Sequence, residues 1–153
     1  MKITSPAFRH GEHIPRLYSR DGEDKSPPLH IEGVPANARS LVLIVDDPDA
    51  SGGLFAHWVV FDVDPRTMEI GEDHVPEEGR QGTNSWGEAE YGGPQPPLGE
   101  HRYFFHVYAL DTKLDLPQGA TRAEVERAMS GHVLDVAELM GRYAAANEPV
   151  GAH

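Results

Sequence analysis

Ten consecutive residues, His101 to Leu110, alternate so regularly that the segment is restricted to a β-strand with two unlike faces. His101, Tyr103, Phe105, Val107 and Ala109 share one face; Arg102, Phe104, His106, Tyr108 and Leu110 share the other. A loop crowded with Gly and Pro, GTNSWGEAEYGGPQPPLGE over 82–100, leads into this strand. Pro94, Pro96 and Pro97 fix backbone φ, while Gly92, Gly93 and Gly99 admit conformations closed to other residues, so the loop can hold one shape without a core of its own. Its backbone can approach a ligand closely, and His101 and Tyr103 leave it pointing the same way.

A second segment has the same character. Leu41 to Val45 (LVLIV) is an aliphatic run of buried-strand length that stops at Asp46-Asp47-Pro48-Asp49, and after Gly52-Gly53 the chain resumes as His57-Trp58-Val59-Val60-Phe61. A short connection favours antiparallel neighbours, which places the end of one strand and the start of the next at the same pole of the sheet. Asp47, Asp49 and His57 are therefore expected to cluster.

The 153 residues suit one domain with a real core, and 16 Gly and 13 Pro, spread along the chain, point to many turns between short strands. The sequence contains 0 Cys, which excludes disulfides, thiol catalysis and Cys-rich zinc frameworks and suits a reducing cytoplasm. MKITSPAFRHGEH at the N-terminus lacks the apolar core of a signal peptide, and no aliphatic run reaches membrane-spanning length. The expectation is a cytoplasmic protein without an integral membrane segment. Twenty-five acids against thirteen bases give a formal charge of −12, which disfavours nucleic acid and anionic membrane surfaces as partners. Lysine occurs only at Lys2, Lys25 and Lys113; this balance suits either adaptation to high salt or an ordinary acidic protein.

Strands are expected at 41–46, 57–63 and 101–110, with shorter ones near 29–32 and 134–142. A short helix begins at Thr121, where Thr121 and Glu124 fit a capping box and Val125, Ala128 and Met129 form a narrow apolar face; it ends by Gly131. Over Val133 to Tyr143 helical and strand periods fit equally well. Trp58, Phe104 and Phe105 are expected in the core. Short strands, one or two short helices and Pro/Gly loops imply a mainly β protein, an antiparallel two-sheet β-sandwich.

DDPDA at 46–50, HWVVFDV at 57–63, YGGPQPP at 91–97 and HRYFFHVYALD at 101–111 resemble, in order and spacing, the phosphatidylethanolamine-binding protein family, in particular its bacterial and archaeal Raf kinase inhibitor-like branch. Weaker similarity covers 21–35 and 131–143, so the resemblance spans nearly the whole chain. It implies a Greek-key sandwich, makes 133–143 a strand, and implies a small anion pocket for phosphate-like headgroups. To that pocket it assigns Asp47, His57, His101, Tyr103 and the loop backbone from Gly93 through Pro96 and Pro97. Ser51 stands where the family usually has proline, and only one residue separates Gly99 from His101. The chain ends soon after Tyr143 without the C-terminal helix of eukaryotic members, so kinase regulation is not carried over.

Imidazole N–H, phenol O–H and loop amides are donors to an anion, while Asp47 can orient an imidazole or accept from an ammonium or a protonated phosphate oxygen. Each residue also has a plainer reading. Asp47 and Asp49 beside Pro48 suit a turn with an Asx-type bond, His57 suits a satisfied buried histidine, and Arg102, on the opposite face, suits an ion pair with an acid on a neighbouring strand. The leading expectation is a non-enzymatic binding protein for a small anionic or phosphorylated ligand, with no cofactor and no metal. Two alternatives stand: a hydrolase or metalloenzyme using Asp47, His57 and His101, and an inhibitor of a kinase or protease acting through exposed loops. A protein partner and a homodimer are left open.

Overall fold

The computed structural model describes residues 1–145, and its strands form two antiparallel sheets. The smaller sheet has the order β1 (Lys2–Thr4), β2 (Leu29–Glu32), β5 (Glu69–Ile70). The larger has the order β6 (Arg80–Gln81), β4 (Phe55–Val63), β3 (Ser40–Asp47), β7 (Glu100–Leu110), β8 (Val133–Ala144). After the β3–β4 hairpin, the connection over 64–99 returns the chain to the far side of β3, a non-sequential step typical of sandwiches. The main core lies between the sheets, where Ile3, Leu29, Ile31 and Ile70 meet Leu41, Leu43, Val45, Trp58, Val60, Phe105 and Val107.

A second apolar layer covers the outer face of the large sheet. Val42, Ile44, Val59 and Phe61 pack beneath Val125 and Met129 of helix α1 (Arg122–Met129). This explains why LVLIV does not alternate in character: both faces of β3 are buried, so each residue must be apolar. Helix α1 begins with the expected capping box, in which Thr121 Oγ1 accepts from the Glu124 backbone N–H at 3.1 Å and the Glu124 carboxylate accepts from the Thr121 N–H at 3.1 Å.

Val133–Ala144 is a strand along its full length, paired with β7. Its Leu139 faces the main core while Val133, Leu134 and Val136 are exposed, and this lopsided burial is what blurred its period. Phe104 departs from expectation. It lies half-buried on the outer face of β7, its ring stacked on His106 at 5.9 Å, because α1 covers β3 and β4 but leaves this part of the sheet uncovered. The sequence reading also passed over β1, β5 and β6, each only two or three residues long.

Candidate functional site

β3 ends in two acids, and strand alternation sends them to opposite faces: Asp46 outward beside α1, Asp47 inward at the rim of the main core. Asp47 is buried and both its oxygens are engaged. Oδ1 accepts the Asp49 backbone N–H at 2.7 Å, the Asx turn expected beside Pro48, and Oδ2 accepts from His101 Nδ1 at 2.6 Å. The Asx turn and the bond to His101 thus use different oxygens of the same carboxylate. Since a carboxylate only accepts, Nδ1 carries the proton and Nε2 is the second ring nitrogen of His101.

His57 owes its direction to a β-bulge. In the β3–β4 pairing Val45 faces Trp58 while the next residue, Asp46, faces Ala56, so β4 carries one extra residue there. Without it His57 and Trp58 would point to opposite faces. With it Trp58 enters the main core and His57 packs edge-on against Tyr103 at 5.1 Å, while Ala56 joins the outer layer. His57 Nδ1 donates to the Gly92 carbonyl at 2.7 Å, and burial holds its pKa below the ordinary histidine value. The ring is thus neutral near pH 7, with its lone pair on Nε2. Burial, followed by the Asp47 and Asp49 charges, pushes the Tyr103 phenol far above its usual range, so it remains an O–H.

The Gly/Pro loop closes the site. A Cβ on Gly93 would lie 2.2 Å from the Tyr18 carbonyl oxygen, and one on Gly92 would lie 2.3 Å from Cζ3 of Trp86, so both positions are close approaches, the first against backbone and the second against a side chain. The Tyr91 hydroxyl donates to the Tyr18 carbonyl at 2.6 Å, anchoring the loop to the 3-10 turn at Arg16–Tyr18. Asn84 is buried beneath the preceding turn: its Oδ1 accepts from the Trp86 and Glu88 N–H groups at 2.9 and 3.0 Å, and its Nδ2 donates to the Glu90 carbonyl at 2.9 Å.

Asp47, His57, His101, Tyr103, Pro96 and Pro97 line one cavity of about 350 Å³. Asp49 and Gly93 do not line it. Arg102 holds the Asp49 carboxylate in a two-pronged pair, Nε to Oδ2 at 3.0 Å and Nη2 to Oδ1 at 2.8 Å, and this pair keeps the Asp49 pKa below the ordinary range. This is the ion pair expected of Arg102. The Gly93 N–H donates to Asp24 Oδ1 at 2.7 Å and is thereby spent on the loop.

The remaining wall was not anticipated. Phe55, Trp86 and His57 form an edge-to-face cluster, with Phe55–Trp86 and His57–Trp86 centroids 4.7 and 4.9 Å apart, and the Arg20 guanidinium lies 4.1 Å from the centroid of the Trp86 ring. A tryptophan among Gly, Ser and Glu in a loop was the available signal for Trp86. Arg20 had none, since its partner lies 66 positions away in a different loop.

The cavity thus joins an acid-held imidazole, a neutral imidazole and a phenol at one end to an aromatic wall at the other, on a two-sheet sandwich. Comparison with known proteins places the chain in a family. The family model described as phosphatidylethanolamine-binding protein matches residues 4–144, and the chain belongs to that family. A UPF0098 protein of Methanothermobacter thermautotrophicus is 48% identical over 149 residues, covering 94% of this chain and 98% of that protein. A UPF0098 protein of Aquifex aeolicus is 48% identical over 150 residues, covering 94% and 88%. Among solved structures, a putative phosphatidylethanolamine-binding protein homolog of Chlamydia trachomatis superposes with a TM-score of 0.89 at 43% identity, covering 93% of this chain and 95% of that one. YbcL of E. coli, described as a member of the mammalian family, superposes with a TM-score of 0.87 at 29% identity, covering 94% and 97%. Among the described residues no helix is long and apolar enough to cross a membrane.

Proposed function

We propose that this chain is a non-enzymatic binding protein whose cavity takes a small phosphorylated or similarly anionic group, and that it works in the cytoplasm. The observation that carries this reading is the Asp47–His101 bond at the cavity rim. An unpartnered carboxylate would repel an anion. Engaged by Nδ1–H, the Asp47 carboxylate is instead spent on His101, whose ring it fixes in one orientation with Nε2 as the nitrogen left to meet the ligand. Tyr103 adds a neutral O–H donor. Neutral His57 offers an acceptor, so the complementary ligand carries acceptor oxygens and one proton of its own, as a monoprotonated phosphate does. The Trp86–Phe55 wall suits whatever apolar or ring-bearing group the phosphate is attached to. The relatives' descriptions as phosphatidylethanolamine-binding proteins agree with a phosphate-bearing headgroup.

Calorimetric titration of phosphoethanolamine into wild type and His101→Ala tests the proposal. Wild type is expected to bind saturably and the variant about tenfold or more weaker, the loss of a hydrogen bond to a charged group. Equal affinity in the two proteins would overturn it.

A further inference from the structure

Each sheet ends on the same side of the sandwich in an edge strand, β1 in the smaller and β8 in the larger, and a groove of about 400 Å³ lies between them. Its floor is formed by Ile3, Phe8 and Leu139, core side chains that reach the rim here. The outer edge of β8 is covered over only part of its length. Residues 10–14 run beside the second half. There the Gly11 and Ile14 N–H groups donate to the Met140 and Arg142 carbonyls at 2.7 and 2.8 Å, the Arg142 N–H donates to the Glu12 carbonyl at 2.9 Å, and the Met140 N–H donates to His10 Nδ1 at 3.0 Å.

The cover stops at Met140, but the strand continues beyond it. Since the main chain of Met140 and Arg142 points away from β7, alternation sends that of Glu138 and Val136 the same way. The Val136 N–H is taken by the neighbouring Asp135 carboxylate at 2.9 Å, whereas the Val136 carbonyl and both main-chain groups of Glu138 have no hydrogen-bond partner among the described residues. One N–H and two carbonyls, on two exposed residues two positions apart, are what a further antiparallel strand pairs with. Lys2 and Arg9 border the groove; both are exposed, and neither side chain has a hydrogen bond or ion pair among the described residues. The acids nearby are engaged elsewhere. The Glu138 carboxylate lies 3.7 Å from His106 Nδ1 on the outer face, Asp135 holds the Met1 ammonium at 2.9 Å, and Glu32 lies 3.7 Å from His30 Nε2.

We propose that this groove is a docking site for an extended, acidic segment of a partner protein, which adds as a strand to the open edge of β8. Its main chain pairs with Val136 and Glu138, an apolar side chain covers Ile3, Phe8 and Leu139, and its carboxylates turn to Lys2 and Arg9. In strand addition the main-chain bonds hold the guest and the side-chain contacts select it. Here the selection is for acid, because the two unpaired cations are the charges the groove offers. A second copy of this chain is a poor occupant. Pairing through the same edge would bring Asp135 and Glu138 of two chains, each of formal charge −12, against one another.

The probe is acetyl-Glu-Glu-Val-Glu-Glu-amide, titrated into the full chain at low ionic strength and followed by backbone amide NMR. The expected result is saturable shifts at Val136, Glu138 and Leu139, with solvent exchange of the Glu138 amide slowed. Acetyl-Lys-Lys-Val-Lys-Lys-amide should not bind. The double variant Lys2→Glu with Arg9→Glu should bind the acidic peptide about tenfold weaker or less, since both attractions become repulsions. Both residues are exposed, and the same acidic peptide with methylated backbone nitrogens tests the pairing without any variant. It should lose binding, because it lacks the N–H groups that the Val136 and Glu138 carbonyls accept. Equal affinity for the methylated peptide or for hexanoate would show that the groove reads only apolar surface and charge, and would overturn strand addition. Equal binding of the basic peptide, wild-type affinity in the double variant, or no shift along β8 would overturn the proposal as well.

Discussion

His101 Nδ1 lies 2.6 Å from Asp47 Oδ2, joining a residue at the start of β7 to one at the end of β3 across 54 positions of sequence. That bond turns an acid in an anion pocket from a liability into a support that orients the imidazole. It predicts a graded series. Asp47→Asn should reduce phosphoethanolamine affinity while leaving the cavity walls in place, because an amide orients the imidazole less firmly. His132→Ala, on an exposed residue paired with Asp111, should cost nothing measurable. Equal loss in Asp47→Asn and His132→Ala would contradict the role of the pair.

Proton uptake is the second expectation. His57 is held neutral by burial and an anion beside it favours its charged form, so binding near pH 7 should draw a proton onto His57 or onto the phosphate it faces. Calorimetry in two buffers of different ionisation enthalpy measures this directly. Affinity should fall as pH rises above the histidine range. Buffer-independent heats combined with flat affinity from pH 6 to 9 would count against His57 as a neighbour of the bound anion.

Stability should respond to pH through two buried groups of opposite sign. The lowered pKa of His57 means the unfolded chain binds more protons at this ring, so its contribution is fully present above the ordinary value of 6.5 and is lost as pH falls toward the folded value. Asp46 is raised from 3.8 to about 6, so the folded state holds the extra proton and the contribution of Asp46 declines as pH rises through that window. Urea midpoints of wild type and Asp46→Asn from pH 4 to 7 isolate the second effect. Wild type should lose stability relative to the variant on the order of 2 kcal/mol across the range; parallel curves would refute it.

Much of this site was legible in the sequence because each of its polar residues marks the end of a hydrophobic pattern. Asp47 belongs to the pair of acids that stops the LVLIV run, and His101 and Tyr103 open a cleanly alternating strand. The two-sheet architecture followed from the same patterns with the spread of turns. What stayed hidden depends on pairing between distant segments. The bulge that turns His57 inward is a property of the β3–β4 register, invisible in either strand alone. Asp49 and Gly93 looked like ligand contacts until the structure showed Arg102 and Asp24 using them. Phe104 looked like core because alternation fixes which residues share a face, and only the position of α1 tells which part of that face is covered.

Two neighbouring glycines should fail differently. At Gly93 the obstacle is backbone, the Tyr18 carbonyl, which cannot step aside, so Gly93→Ala should lower stability by about 1–3 kcal/mol. At Gly92 it is the edge of the Trp86 ring, so Gly92→Ala should instead displace the indole and change its fluorescence and ligand affinity. Matching thermal shifts with unchanged Trp86 emission in both variants would refute the distinction.

Metal is not required in this account. Exhaustive chelation should leave phosphoethanolamine affinity unchanged, whereas stoichiometric zinc whose removal abolishes binding would move Asp47, His57 and His101 to the metalloenzyme alternative.

The central claim is that one anion contacts both histidines, and imidazole nitrogen NMR during titration with inorganic phosphate tests it most directly. The account predicts saturable shifts of Nε2 in both His57 and His101 at one common affinity, with both Nδ1 protons retained on Gly92 and Asp47. Phosphate binding that leaves both Nε2 resonances unmoved, or moves only one of them, would contradict it.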